Sequence, residues 1–218
     1  AGASVANVLI ARNTFIDLPG ESDGAFIQAG GTGGTISDVT VLDNRFENVN
    51  FSVEVVCANG SDGRIEGTRI VGNFFTGSEV PVFVGNTGTP GEEASSGNVV
   101  DDMLIAGNVF LHNGGPDVHI AGGMANSTGN AVTNVTIAGN LMGASTSFGG
   151  VAVVGGRGDG TLNVVDGVRI VNNTIVDKPF PAVAVNPHPE SFGGNNTISN
   201  VKIANTIFCN NASEFDAG

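Results

Sequence analysis

Met103-Leu104-Ile105-Ala106-Gly107-Asn108-Val109-Phe110 decides the fold, because its skeleton returns throughout the chain: alternating apolar residues, a corner asparagine, then a phenylalanine. Upstream copies are Val8-Ile10-Asn13-Phe15, Val39-Val41-Asn44-Phe46 and Thr68-Ile70-Asn73-Phe75. Downstream copies are Val135-Ile137-Asn140-Met142, Val168-Ile170-Asn173-Ile175 and Val201-Ile203-Thr206-Phe208. The Asn positions advance by 31, 29, 35, 32 and 33 residues, and Thr206 follows after 33 more. A second alternation keeps step with the first: Ala25-Ile27, Val53-Val55, Val82-Val84, Val118-Ile120, Val151-Val153 and Val183-Val185. A period of this length marks a repeat architecture.

Short β-branched runs that alternate with polar residues are strands with one buried face. Three such runs per period, with no helical pattern between them, cannot form a βαβ unit. They form one coil of a solenoid, each strand pairing with its counterpart a rung above and below. The expected fold is therefore all-β, a right-handed parallel β-helix of seven rungs with three short strands each. In the first rung these are strand a (Val8 to Ile10), strand b (around Phe15) and strand c (Ala25 to Ile27). Asn tolerates the left-handed backbone of a tight bend, so it suits the corner between a and b. Amides stacked one rung apart, about 4.8 Å, can also bond to one another as a ladder. Two residues later, Phe15, Phe46, Phe75, Phe110, Met142, Ile175 and Phe208 should stack inside as the spine of the core.

The totals agree with this reading and exclude several functions. With 34 Gly and 40% apolar residues among 218, the chain has many turns and enough apolar surface to bury. Residues 1–218 read as a single β-helix domain, expected to be an uncapped piece of a longer secreted or cell-surface protein. No apolar run reaches the ~18 residues of a membrane span. Net charge is -13, with eight Lys and Arg against 21 Asp and Glu. Nucleic acid is thereby excluded as a partner, since it needs clustered cations. No cofactor is expected, and Ca²⁺ is the metal these carboxylates would suit. Cys57 ends strand c of the second rung and Cys209 follows strand b of the seventh. Five rungs separate them by about 24 Å, so no disulfide is expected.

The asparagine ladder, the two-residue bend and the Gly-Val-x-Val strand (Gly150-Val151-Ala152-Val153) resemble the pectate-lyase-like right-handed β-helix superfamily, over residues 4 to about 211. The resemblance implies sugar binding along the outward face of strand c. Alternation turns Phe26, Glu54, Phe83, His119, Ala152 and Ala184 outward there, with Gln28, Val56, Gly85, Ala121, Val154 and Asn186 in a second row. Phe26 and Phe83 would be the floor on which sugar rings stack. Asp117 and His119, at i and i+2, should point to the same side as an acid/base pair. Their spacing is similar to the Asp-x-His of alginate C5-epimerases, although the tyrosine of those sites is absent here. Glu54 lies two rungs away, about 10 Å, and inverting glycosidases hold their carboxyls about 6.5–9.5 Å apart. The acid clusters of pectate lyases and polygalacturonases are missing. Arg64, Arg157 and Lys178 are the nearest cations, all expected on loops, with Arg157 and Lys178 as candidate substrate contacts. His112 and His188 are too dispersed for a zinc site. Arg157-Gly158-Asp159 also reads as an adhesion tripeptide.

Two functional readings result. One is a secreted protein that binds or acts on a polysaccharide (as lyase, epimerase or hydrolase) through the c face, with His119, Asp117 and Glu54 as catalytic candidates. The other is a non-catalytic structural or adhesive module. Self-association through the apolar strand face or the open ends fits either reading.

Overall fold

A computed structural model describes residues 2–87, 94–124, 126–156, 158–186 and 195–217. All of its regular structure is β, and every ladder is parallel. Seven rungs stack as expected. Strands b and c run on as one in the first two rungs, Thr14–Gly30 and Arg45–Ala58. In later rungs they separate, as in Val109–Leu111 and Val118–Ala121, or Thr174–Val176 and Pro181–Asn186. Among the described residues no helix is long and apolar enough to cross a membrane.

The a side is longer than the sequence pattern suggested. Ser4–Ala11, Thr35–Leu42, Val99–Ala106 and Ala131–Ala138 each begin several residues before the first alternating pair. In rung three the same path breaks into Arg64–Glu66 and Arg69–Val71. The break falls at a left-handed column: Asn7, Asp38, Gly67, Asp102, Asn134, Gly167 and Asn200 all have positive φ. Each rung therefore has a fourth strand segment, carrying the inward residues Ile65, Val100, Val132 and Val165. A short-range alternation search misses it because the bend shifts the parity by one residue.

The ladder is present, with one correction. Asn44 Nδ2 donates to Asn73 Oδ1 at 3.0 Å, Asn73 to Asn108 at 3.1 Å, Asn108 to Asn140 at 3.0 Å and Asn140 to Asn173 at 3.0 Å. The left-handed residue of that corner is not the ladder asparagine but the one before it: Arg12, Asp43, Gly72, Gly107, Gly139, Asn172 and Asn205. The bend turns the next side chain inward, where its amide also meets backbone groups, as Asn108 Nδ2 meets Ile70 O at 2.9 Å. A second ladder lies at the corner ahead of strand a. There Gly63, Asn98 and Asn130 donate their N–H groups to Asn98, Asn130 and Asn163.

Phe15, Phe46, Phe75 and Phe110 stack face to face with centroids 4.8, 5.0 and 4.8 Å apart. That spacing is one rung, so the core repeats with the backbone. Phe46, Phe75, Ile105, Phe110, Ile137 and Ile170 are fully buried. Val8, Ile10, Phe15 and Ile203 are only partly so, because they lie in the first and last rungs. Cys57 is buried and Cys209 exposed, both as free thiols.

Candidate functional site

Strand register fixes the outward row of the c face. Phe26 pairs with Glu54, Glu54 with Phe83, Phe83 with His119, His119 with Ala152, Ala152 with Ala184, and Ala184 with Asp216. The expected residues thus share one line along the solenoid axis, and Asp216 extends it.

The upper half of that line is closed over at Phe83. Phe83 is only 5% exposed, because it packs with Val56, Ala58, Val80 and Ala121 under Phe51 and Met124. Its ring meets Phe51 and His119 edge-on, at 6.2 and 5.3 Å. Phe83 is a wall and not an open platform, and Val56 and Ala121 of the second row are buried with it. Phe26 remains half exposed. Glu54 bonds to the Asp23 carboxyl, and desolvation together with the Asp23 charge pushes it up to about 7. Burial raises Asp23 as well. Two carboxyls in hydrogen-bond contact share one proton. They lie closer than the carboxyls of an inverting glycosidase.

The lower half is open. A groove of about 430 Å³ runs over His119, Ala152, Ala184 and Asp216. Its wall is Phe148 and Phe180, each half exposed, with rings stacked at 5.7 Å and 23°. Glu79 and Pro116 line its upper end. The small side chains of the floor leave the depth, and the two rings provide an apolar side against which a flat ligand can lie. The sequence did carry a signal for this wall. Counted back three residues from the first inward residue of strand c, rungs three to six read Glu79, Gly115, Phe148 and Phe180.

Asp117 and Lys178 depart from expectation. Asp117 does not face the same side as His119, and Lys178 is not on an exposed loop. Both side chains are fully buried, with Lys178 Nζ 2.6 Å from Asp117 Oδ2. Asn113 Nδ2 donates to the other Asp117 oxygen at 3.0 Å. Desolvation raises the Asp117 carboxyl to about 6, although Lys178 and Asn113 pull it down. The reason for the departure is local. Asp117 stands one residue before the strand Val118–Ala121, at the b–c corner, where the alternation of the strand does not apply. Lys178 occupies a column three residues after the phenylalanine spine: Leu18, Val49, Ser78, Asn113, Ser145, Lys178, Asn211. Val49, Ser78 and Asn113 in that column are also buried. Glu54 and Asp117 therefore do not face each other.

Arg64 pairs with Glu66 and Asp101 on the a side, away from this face. Arg157 and His188 lie outside the described residues, and so does the first member of the adhesion tripeptide. Among the described residues no three His, Cys, Asp or Glu side chains gather to hold a metal ion.

No protein-family model matches the chain, and no curated protein matches it. Among solved structures it is similar to the Streptococcus pneumoniae surface protein and adhesin PfbA, with 12% identity and a TM-score of 0.34 over 99% of this chain and 68% of that one. It is also similar to QnrB1, a plasmid-mediated fluoroquinolone resistance protein, with 10% identity and a TM-score of 0.19 over 94% and 92%. The fold rests on the strand register and not on these likenesses. That register defines the class, a parallel β-solenoid, and among the described residues a groove lies on its c face.

Proposed function

We propose that the chain is a polysaccharide-binding β-solenoid whose c-face groove holds a neutral glycan without cleaving it. The observation that carries this reading is the exposed Phe148–Phe180 pair beside the shallow Ala152–Ala184 floor. Sugar rings present apolar C–H faces to such rings and hydroxyls to the polar rim. His119, Glu79 and Asp216 supply that rim. Its acids, on a chain of net charge -13, disfavour uronate polymers by repulsion. Binding is preferred to turnover because two of the catalytic candidates are spoken for. Asp117 is neutralised inside by Lys178, and Glu54 is held by Asp23 outside the groove. Secretion or surface display belongs to the same proposal, since polymeric glycans are met there.

The test is a glycan array containing neutral and uronate polymers, read beside ultraviolet absorbance for unsaturated product ends. Retention on neutral glycans with no new absorbance supports the reading. Product formation that is lost in His119→Ala would replace it with the enzymatic one.

A further inference from the structure

We propose that Lys178 and Asn113 join through a side-chain amide bond, with Asp117 as the proton carrier. The three groups meet on one carboxylate. Lys178 Nζ lies 2.6 Å from Asp117 Oδ2, and Asn113 Nδ2 donates to Asp117 Oδ1 at 3.0 Å. The backbone N–H of Ser78 donates to Asn113 Oδ1 at 3.1 Å, which draws electrons from the amide carbonyl. All three side chains are buried, so bulk water neither competes for the carbonyl nor screens the charges. The reach also matches. Eight bonds would separate the two Cα atoms once joined, an extended span of about 9–10 Å. Asn113 stands in rung four and Lys178 in the same column of rung six, and two rungs are about 10 Å.

The step is redox-neutral and needs no further reactant. Lys178 passes a proton to Asp117 Oδ2 and becomes a neutral amine. Desolvation, which raises the Asp117 carboxyl to about 6 against the pull of Lys178 and Asn113, favours that transfer. The Nζ lone pair attacks Asn113 Cγ, and the carbonyl oxygen takes up negative charge beside the Ser78 N–H. Asp117 returns its proton to Asn113 Nδ2 and then accepts one from the newly bonded Nζ. The Cγ–Nδ2 bond breaks with its electron pair on nitrogen, the carbonyl reforms, and ammonia leaves. The product is a Lys178–Asn113 amide beside a neutral Asp117 carboxyl, so no charge stays inside. Attack on Asp117 instead would expel water and consume the carboxyl that carries the protons. The amide straps rung four to rung six past rung five, as a disulfide closes a loop, in a chain whose two cysteines are free thiols.

Intact-mass spectrometry of the folded wild-type chain, after prolonged incubation at neutral pH, reads the proposal. The chain should weigh one ammonia less than its sequence. Proteolysis should release a branched fragment in which the Asn113 and Lys178 peptides are joined. Lys178→Met and Asp117→Asn should each keep the full sequence mass. Where a variant does not fold, the branched fragment of the wild type decides alone. A wild-type chain of full mass overturns the inference. So does a loss of ammonia that persists in Lys178→Met, which is succinimide formation at Asn113-Gly114. A loss of water with a branch between Lys178 and Asp117 overturns it as well.

Discussion

Lys178 Nζ lies 2.6 Å from Asp117 Oδ2, with both side chains wholly inside the solenoid. The pair joins rung six to rung four and bypasses rung five, whose contribution at that corner is the small Gly143-Ala144-Ser145. Lys178 N–H also donates to Asn211 Oδ1 at 3.0 Å, which ties the strut to rung seven. Removing one partner strands a buried charge, so Asp117→Ala should cost about 3–5 kcal/mol. Replacing both, as in Asp117→Leu with Lys178→Met, should cost less than either single change. Urea unfolding of Asp117→Ala, Asp117→Leu, Lys178→Met and the double variant checks this.

The phenylalanine stack leaves no room for collapse, because each ring is held by identical rings a rung away. Phe75→Ala should therefore lose about 3–5 kcal/mol by the same measurement.

Asn108 accepts from the Asn73 N–H at 2.9 Å and donates to Asn140 Oδ1 and Ile70 O. Asn108→Ala takes the acceptor from the Asn73 N–H and the side-chain donor from Ile70 O, both on rung three, while the backbone N–H of residue 108 still reaches Asn140 Oδ1; the cost is about 1–3 kcal/mol for each group left buried. Hydrogen exchange should accelerate first at the N–H of Asn73, which loses its acceptor.

Glu54 supplies a pH dependence of definite sign. Its carboxyl is raised from 4.5 to about 7, so between those values the folded chain holds a proton that the unfolded chain releases. Stability from this group is full below pH ~4.5 and is lost as pH rises through ~7. Solvent screening at this partly open position limits the effect to about 1–2 kcal/mol. Glu54→Gln should be the more stable protein at pH 8 and should remove this part of the difference in urea midpoint between pH 5 and pH 8.

Cys209 is exposed, whereas Cys57 is buried and its thiol pushed up to about 12. A thiol-reactive chromophore should titrate one cysteine in the native chain and both in urea.

The parts of this structure that were legible in the sequence are those that repeat with fixed parity. The asparagine and phenylalanine columns and the line from Phe26 to Ala184 could be read because each rung restates them. Legibility failed where a corner resets the alternation. Val100 and Val132 were missed because Asp102 and Asn134 bend the chain between them and strand a. Asp117 was turned the wrong way because it precedes its strand by one residue. Phe148 and Phe180 stand at the ends of loops of unequal length, so no alternation announces them. Asp23 meets Glu54 across a register shift in the first rung, which spacing alone does not reveal.

The claim at the centre of this account is that a neutral glycan lies against Phe148 and Phe180. Calorimetric titration of the wild-type chain and of Phe180→Ala with the best neutral polymer from the array tests it most directly. The account predicts saturable binding by the wild type and a loss of about tenfold or more in the variant, with the urea midpoint unchanged because the Phe180 ring is half exposed. Equal affinity in the two proteins, or no heat with any neutral glycan, would contradict it.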